Sequence, residues 1–309
     1  MEYEHVPAMA REVRQFLKAG PHRRFLDGTL GGAGHSEQIL IDSSPDGQVL
    51  GLDWDDEAVT EARRRLAKFQ QRVTLRQASF SAAREILSEV GWHSVHGVLL
   101  DLGASSHQLR SDERGFSFRS QARLDMRMDR RQSLDAHQIV NSFPAAELEK
   151  ILRTFGEERQ ARRIALRITE ARRNKPLETA SELAQLIEGV KRSGAHGHHP
   201  ATQSFQALRI AVNQELRHLE LFLADGYELL EPNGRMVIIS FHSLEDRLVK
   251  TAFRKWGRHC LCPPRTPTCR CGWSQKVRLV TRKPVVPSAS EIEANPRARS
   301  AKLRAVERI

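Results

Sequence analysis

Long apolar runs are missing from this 309-residue chain. None approaches the ~20 residues that cross a bilayer, which argues against a helical membrane protein. Met1-Glu2-Tyr3-Glu4 lacks the basic and apolar stretch of a secretory signal, so the cytoplasm is the expected location. Lysine is scarce too, with 10 Lys against 39 Arg. Core material is ordinary: apolar residues make up 39%, and the 19 Gly raise the share to about 45%, the usual value for a folded soluble protein. The bulk is expected to fold, as one large or two medium domains.

Charge is unevenly placed. The net charge is +11. Residues 1–113 carry 13 basic and 17 acidic side chains, residues 114–213 carry 18 and 11, and residues 214–309 carry 18 and 10. The excess lies outside the first segment. A solvated basic surface is the plain explanation. A polyanionic partner explains the asymmetry as well, and the Arg bias suits planar, two-pronged contact with phosphate.

The first segment alternates strand and helix patterns. Phe25-Leu26-Asp27, Val49 to Asp53, Val73-Thr74-Leu75 and Val95 to Asp101 read as strands. Ser36–Ile41, Asp56–Phe69 and Ser81–Val90 read as the helices between them. That alternation predicts a parallel α/β sheet. From 135 to 213 the apolar period is helical, and Thr179-Ala180-Ser181-Glu182 spells a capping box. Phe205 to Leu223 reads as one long helix stopped by Pro232-Asn233-Gly234. Strand character returns at Arg235–Ser240 and Val277–Val280. The expected organisation is an α/β domain (1–113 and 214–309) interrupted by an all-helical insert (114–213).

Between the first strand and its helix stand Gly31, Gly32 and Gly34. Glycines let the backbone approach a ligand closely, and a helix N-terminus offers free amides. Asp53 closes the second strand, where a carboxylate can accept both hydroxyls of a ribose. These features fit NAD or S-adenosylmethionine. A dinucleotide fingerprint needs a third glycine, and Glu37 stands there. S-adenosylmethionine has no pyrophosphate to lay on the helix, so it is favoured. Asp101 ends the fourth strand. A carboxylate there can accept the hydrogens of an exocyclic amine and aim its lone pair at a methyl carbon. Capping the next helix is its plainer use.

Other candidates have two readings each. Arg159, Arg163 and Arg167 stand at i, i+4, i+8, to track phosphates or to pair with nearby acids. Met126 and Met128 read as core, Arg127 as an active-site rim residue. His242 and Ser243 follow a strand end and are placed near the crevice, with Phe241 as a stacking platform; a helix cap by Ser243 is the alternative. Cys260, Cys262, Cys269 and Cys271 are the chain's four cysteines. In a cytosolic protein such a cluster suggests a zinc knuckle rather than disulfides, although Cys-x-Cys is tighter than the usual spacing.

A series of motifs carries a resemblance. They include Asp27-Gly28-Thr29-Leu30-Gly31-Gly32-Ala33-Gly34-His35-Ser36, Leu100-Asp101-Leu102-Gly103, Arg114-Gly115-Phe116-Ser117-Phe118 and Leu124-Asp125-Met126-Arg127-Met128-Asp129. Gly156-Glu157-Glu158-Arg159, Ser240-Phe241-His242-Ser243-Leu244-Glu245-Asp246-Arg247 and Asn295-Pro296-Arg297-Ala298-Arg299-Ser300 continue it. Over nearly its whole length the chain resembles the MraW (RsmH) family of bacterial rRNA cytosine-N4 methyltransferases. The resemblance implies a class I S-adenosylmethionine-dependent methyltransferase sheet (Rossmann-like) with a helical insert. It implies methylation of a cytidine N4 in the decoding region of 16S rRNA, within the small ribosomal subunit. The family's cofactor positions fall on Ala33, Gly34, His35, Asp53, Phe80, Asp101 and Gln108. Phe80 would pack on the adenine and Gln108 would reach the methionine end. Arg119–Arg123, Gln203 and Ser204 depart from the family's usual residues. A non-catalytic RNA-binding protein and an NAD-dependent oxidoreductase remain as other classes the residues allow.

Overall fold

The computed structural model describes residues 7–105, 108, 113–191, 199–263, 266 and 268–309. Residues 192–198, His196 and His198 among them, lie outside the described residues. Seven strands make one sheet: β1 (Arg24–Asp27), β2 (Gln48–Asp53), β3 (Val73–Gln77), β4 (Val95–Asp101), β5 (Leu230–Ser240), β6 (Val277–Leu279) and β7 (Lys302–Arg308). Their order is β3-β2-β1-β4-β5-β7-β6. The first five pair in parallel, and β7 runs antiparallel to both β5 and β6. Chain order reverses between β1 and β4. Such a reversal opens a crevice at the carboxyl ends of the strands.

Why the central strands are continuously apolar follows from burial on two faces. Leu26, Leu50, Val98, Leu100, Met236 and Ile238 point into one core. Their neighbours Phe25, Val49, Leu99, Val237 and Ile239 point into the other. Successive side chains alternate across the sheet, so each strand feeds both layers of helices.

Two compact units divide the chain, residues 1–103 with 216–309 and residues 104–215. Among its described residues the second unit holds the helices Ala136–Ser142, Ala145–Gly156, Ala161–Asn174, Ala180–Val190 and Thr202–Asn213. Leu148, Leu152, Ile164, Ile168, Leu183 and Ile187 are buried within it. A buried ion pair joins Lys191 Nζ to Glu158 Oε2 at 2.7 Å, and Gln203 Oε1 accepts from the same ammonium at 2.9 Å. Arg114 is buried and donates to the Arg127 and Met128 carbonyls, while Asn213 bonds the backbone of Met126 and Met128. This unusual polar core holds the 114–132 segment in place. The capping box forms as read: Glu182 N donates to Thr179 Oγ1 and Thr179 N to Glu182 Oε2. A Thr179→Ala variant should lose about 1 kcal/mol, seen as a lower melting temperature of the whole chain.

The structure corrects several sequence readings. The stretch 205–223 is two helices, Thr202–Asn213 and Glu215–Asp225, parted by Gln214 at φ 48°. Pro232-Asn233-Gly234 lies inside β5, at a shift where Val95 pairs with Leu230 and Gly97 with Arg235. The helix read over Asp56–Phe69 ends at Leu66, and a 3-10 turn runs on to Arg72. Arg159 precedes the helix that carries Arg163 and Arg167, so the three do not share a helical face. Arg163 bonds Gln160 and Arg167 pairs with Glu170, both on the surface.

Candidate active site

Three carboxylates end three adjacent strands: Asp27 on β1, Asp53 on β2 and Asp101 on β4. The turn after β1 must pass close to β4. A Cβ on Gly28 would lie 2.4 Å from Leu100 Cδ2 and 2.8 Å from Phe80 Cβ, so only glycine fits. Gly31 takes φ 46° and donates its N–H to Asp53 Oδ2 at 2.9 Å. Ala33 is left-handed at φ 56°, a conformation that costs an L-residue about 1–2 kcal/mol. Ala33 is also the N-cap of the helix Gly34–Asp42, and alanine has no side-chain acceptor for that helix's first amides. The turn is therefore strained and offers donors toward the rim.

The carboxylates differ in surroundings. Asp27 accepts from Ser36 Oγ at 2.6 Å and Thr29 N at 3.1 Å, and burial pushes it up to about 6. Asp53 accepts from Gly31 N and from Asp55 N, the latter at 3.0 Å, and burial pushes it up to about 7. Asp101 N donates to Thr29 Oγ1 at 2.6 Å, which ties the end of β4 to the glycine turn. Asp101 Oδ2 lies 3.6 Å from His35 Nε2. Asp101 Oδ1 and His35 Nε2 are both buried without a hydrogen-bond partner. Buried polar atoms are rarely left so, and two on facing side chains mark a place for a ligand.

An aromatic cluster stands by Asp53. Phe80 is buried, edge-on to Phe222 at 5.8 Å and tilted against Trp54 at 6.3 Å. Trp54 is half-buried and meets His218 edge-on at 5.0 Å. His218 Nδ1 lies 2.8 Å from Ser81 Oγ, and burial holds the ring below the ordinary imidazole range. Sequence reasoning missed Trp54 and His218. The place of Trp54 directly after Asp53 was the available signal; His218 had none, because its partners are some 140 residues away.

Of the sequence-chosen residues, Ala33, Gly34, His35, Asp53, Phe80 and Asp101 all belong to the first unit. Gln108 belongs to the second, where its Oε1 accepts from Ser105 N at 2.9 Å. The helix after β5 is capped by His242, not Ser243. His242 Nδ1 accepts from Glu245 N, and Glu245 Oε2 accepts from the amides of Phe241 and His242. Phe241 packs on the core. Arg127 is held inside its own loop by a two-pronged bond to Asp125 and by the Arg130 and Gln132 carbonyls. Met126 and Met128 are buried as expected. His199 stacks on Phe118 at 4.0 Å and pairs with Glu188.

A β3-β2-β1-β4-β5-β7-β6 sheet with only β7 reversed, and an acidic residue after a glycine turn at its crevice, define a class I S-adenosylmethionine-dependent methyltransferase fold. Comparison with known sequences is more specific. The chain belongs to the MraW methylase family, whose sequence profile matches residues 2–309. It is 50% identical over 309 residues to the ribosomal RNA small subunit methyltransferase H of Syntrophotalea carbinolica, covering 99% of this chain and 98% of that protein. The protein of the same name from Geobacter sp. (strain M21) is 48% identical over 310 residues, with 100% and 99% covered. That from Heliobacterium modesticaldum is 48% identical over 312 residues, with both chains covered in full.

Proposed function

We propose that the protein methylates N4 of a cytidine in the decoding region of 16S rRNA, by direct in-line transfer from S-adenosylmethionine. The observation that carries the reading is Asp101 Oδ1, a buried carboxylate oxygen without a partner at the end of β4. The donor supplies an electrophilic methyl on a sulfonium, a good leaving group that needs no strong base. The protein's task is then alignment. Asp101 accepts the amine hydrogens and turns the nitrogen lone pair. Ala33, Gly34 and His35 present the turn to the amino-acid tail of the donor. Asp53 accepts the ribose hydroxyls, with Phe80 and its neighbour Trp54 as the apolar side for adenine. The basic residues of 114–213 serve rRNA recognition, in keeping with the names of the relatives. Small subunits are the preferred substrate over bare rRNA.

Labelled S-adenosylmethionine, incubated with small subunits that lack the modification, tests this. Label is expected on one cytidine N4 of 16S rRNA. Binding of rRNA with no transfer would make the protein a non-catalytic RNA-binding member of the fold, and NAD binding in place of the sulfonium donor would make it an oxidoreductase.

A further inference from the structure

The four cysteines lie in a loop that nothing else explains. Residues 257–276 connect the helix Ser243–Trp256 to β6, and their described residues form no helix or strand. Not one of the described residues in this stretch is buried. Among the described residues its ties to the rest of the protein lie near the base: Lys276 N donates to Trp256 O at 2.8 Å, Trp273 Nε1 to Arg258 O at 3.0 Å, and Trp273 packs edge-on to Tyr227 at 6.4 Å. Ordering so long a loop without a core needs another source of free energy, and small coreless segments usually find it in a metal or a crosslink.

The sulfurs supply it. Cys260 Sγ lies 3.4 Å from Cys269 Sγ and 3.7 Å from Cys271 Sγ. Cys269 Sγ lies 3.5 Å from Cys271 Sγ and 3.9 Å from Cys262 Sγ. All four ligand atoms fall within 4.8 Å of one another. A tetrahedral ion with metal–sulfur bonds of about 2.3 Å sets sulfur–sulfur edges near 3.8 Å. A disulfide needs about 2.05 Å and joins two sulfurs, not four around one centre. Two backbone amides already point at sulfur, Leu261 N to Cys271 Sγ and Cys262 N to Cys260 Sγ. Such donors support thiolate charge around an ion.

We propose that Cys260, Cys262, Cys269 and Cys271 bind one Zn2+ ion, and that the ion holds the loop as a basic docking element for RNA phosphates. The ion takes the four sulfurs as thiolates, their thiol protons passing to solvent, and leaves a closed, redox-inert site. Around it, residues 247–290 contain eleven Lys and Arg and no Asp or Glu. Arg258 and Arg270 are exposed beside the cysteines, and Lys255 and Lys276 lie over the Trp273 ring at 5.7 and 5.4 Å. So long an acid-free stretch exceeds the charge of the Zn(Cys)4 centre and favours a polyanion. The docking half rests on the rRNA reading above; the metal half does not.

Metal analysis of the desalted full-length protein should give about one zinc per chain, as a four-coordinate site requires. Its four thiols should react with a thiol reagent only after a strong chelator is added. A Cys269→Ser/Cys271→Ser variant should hold no zinc, be cut by trypsin within the loop, and bind 16S rRNA about tenfold more weakly, with S-adenosylmethionine affinity unchanged. An Arg258→Ala/Arg270→Ala variant should keep its zinc and show the same rRNA loss. Freely reactive thiols, a disulfide or bound iron in the unaltered protein would overturn the metal site. Unchanged rRNA affinity in both variants would overturn the docking role. Zinc in a protein that neither binds nor methylates rRNA would overturn the docking half together with the function proposed above and leave the metal site standing.

Discussion

Replacing Asp101 with Ala should lower the rate of methyl transfer by about a hundred- to ten-thousand-fold, the range lost with a positioned proton-accepting group. The loss should fall on kcat. The tie between the end of β4 and the glycine turn would survive, because the contact to Thr29 Oγ1 comes from the backbone N–H of residue 101. Stability should not fall. Asp101 Oδ1 has no partner in the folded protein, and a buried acceptor left unsatisfied opposes folding by about 1–3 kcal/mol. Removing it should leave the melting temperature level or raised, the usual signature of a residue kept for function. Asp101→Asn keeps one oxygen in place and should retain more activity than the Ala variant. Single-turnover transfer to small subunits, measured beside thermal melting, separates the two effects. A fall of less than about threefold in Asp101→Ala would exclude the side chain from the chemistry, since aligned groups contribute far more.

The parts of the fold that were readable from sequence share a cause. β1, β2 and β4 are buried on both faces, so they appear as unbroken apolar runs such as Val98-Leu99-Leu100. The turn after β1 is local chemistry: Gly28 and Gly31 stand where backbone approach and φ demand them. β7 was missed for the opposite reason. Lys302–Arg308 is a polar sequence, yet it lies inside the sheet between β5 and β6, where Arg304 and Glu307 find ion-pair partners. Arg304 pairs with Asp246 at 2.7 Å, and Glu307 accepts from Arg235 and Arg278. Those partners lie tens of residues away and cannot be read from a local pattern. The break at Gln214 was hidden because the apolar period runs through it and glutamine gives no warning of a left-handed residue. The same holds at the crevice. His35 and Asp101 can each be chosen on its motif, but that they face one another across 3.6 Å is a product of strand order.

Asp53 gives the second large effect, a dependence of cofactor affinity on pH. In the free protein burial pushes its carboxyl up to about 7, with the nearby charges of Asp55 and Asp27 adding to the rise and the amides of Asp55 and Gly31 opposing it. Ribose hydroxyls donate hydrogen bonds and so favour the ionised carboxylate. Below its raised value the group is protonated in the free protein and must release that proton before S-adenosylmethionine is fully held. The sign follows: affinity should be level above about pH 7 and weaken as pH falls, by about tenfold per unit, or a hundredfold by pH 5, until the value of the complex is reached. Calorimetry in buffers of different ionisation enthalpy should find close to one proton released at about pH 6 and almost none at about pH 8. In Asp53→Asn the residual affinity should be lower and its pH profile flat. Asp27, pushed up to about 6 and bonded to Ser36, lies one strand away and keeps its own hydrogen bonds, so it should not replace the Asp53 dependence. A dissociation constant in the unaltered protein that holds steady from pH 5.5 to 8 would mean that the ribose hydroxyls do not bind Asp53, and the cofactor would have to be turned away from the end of β2.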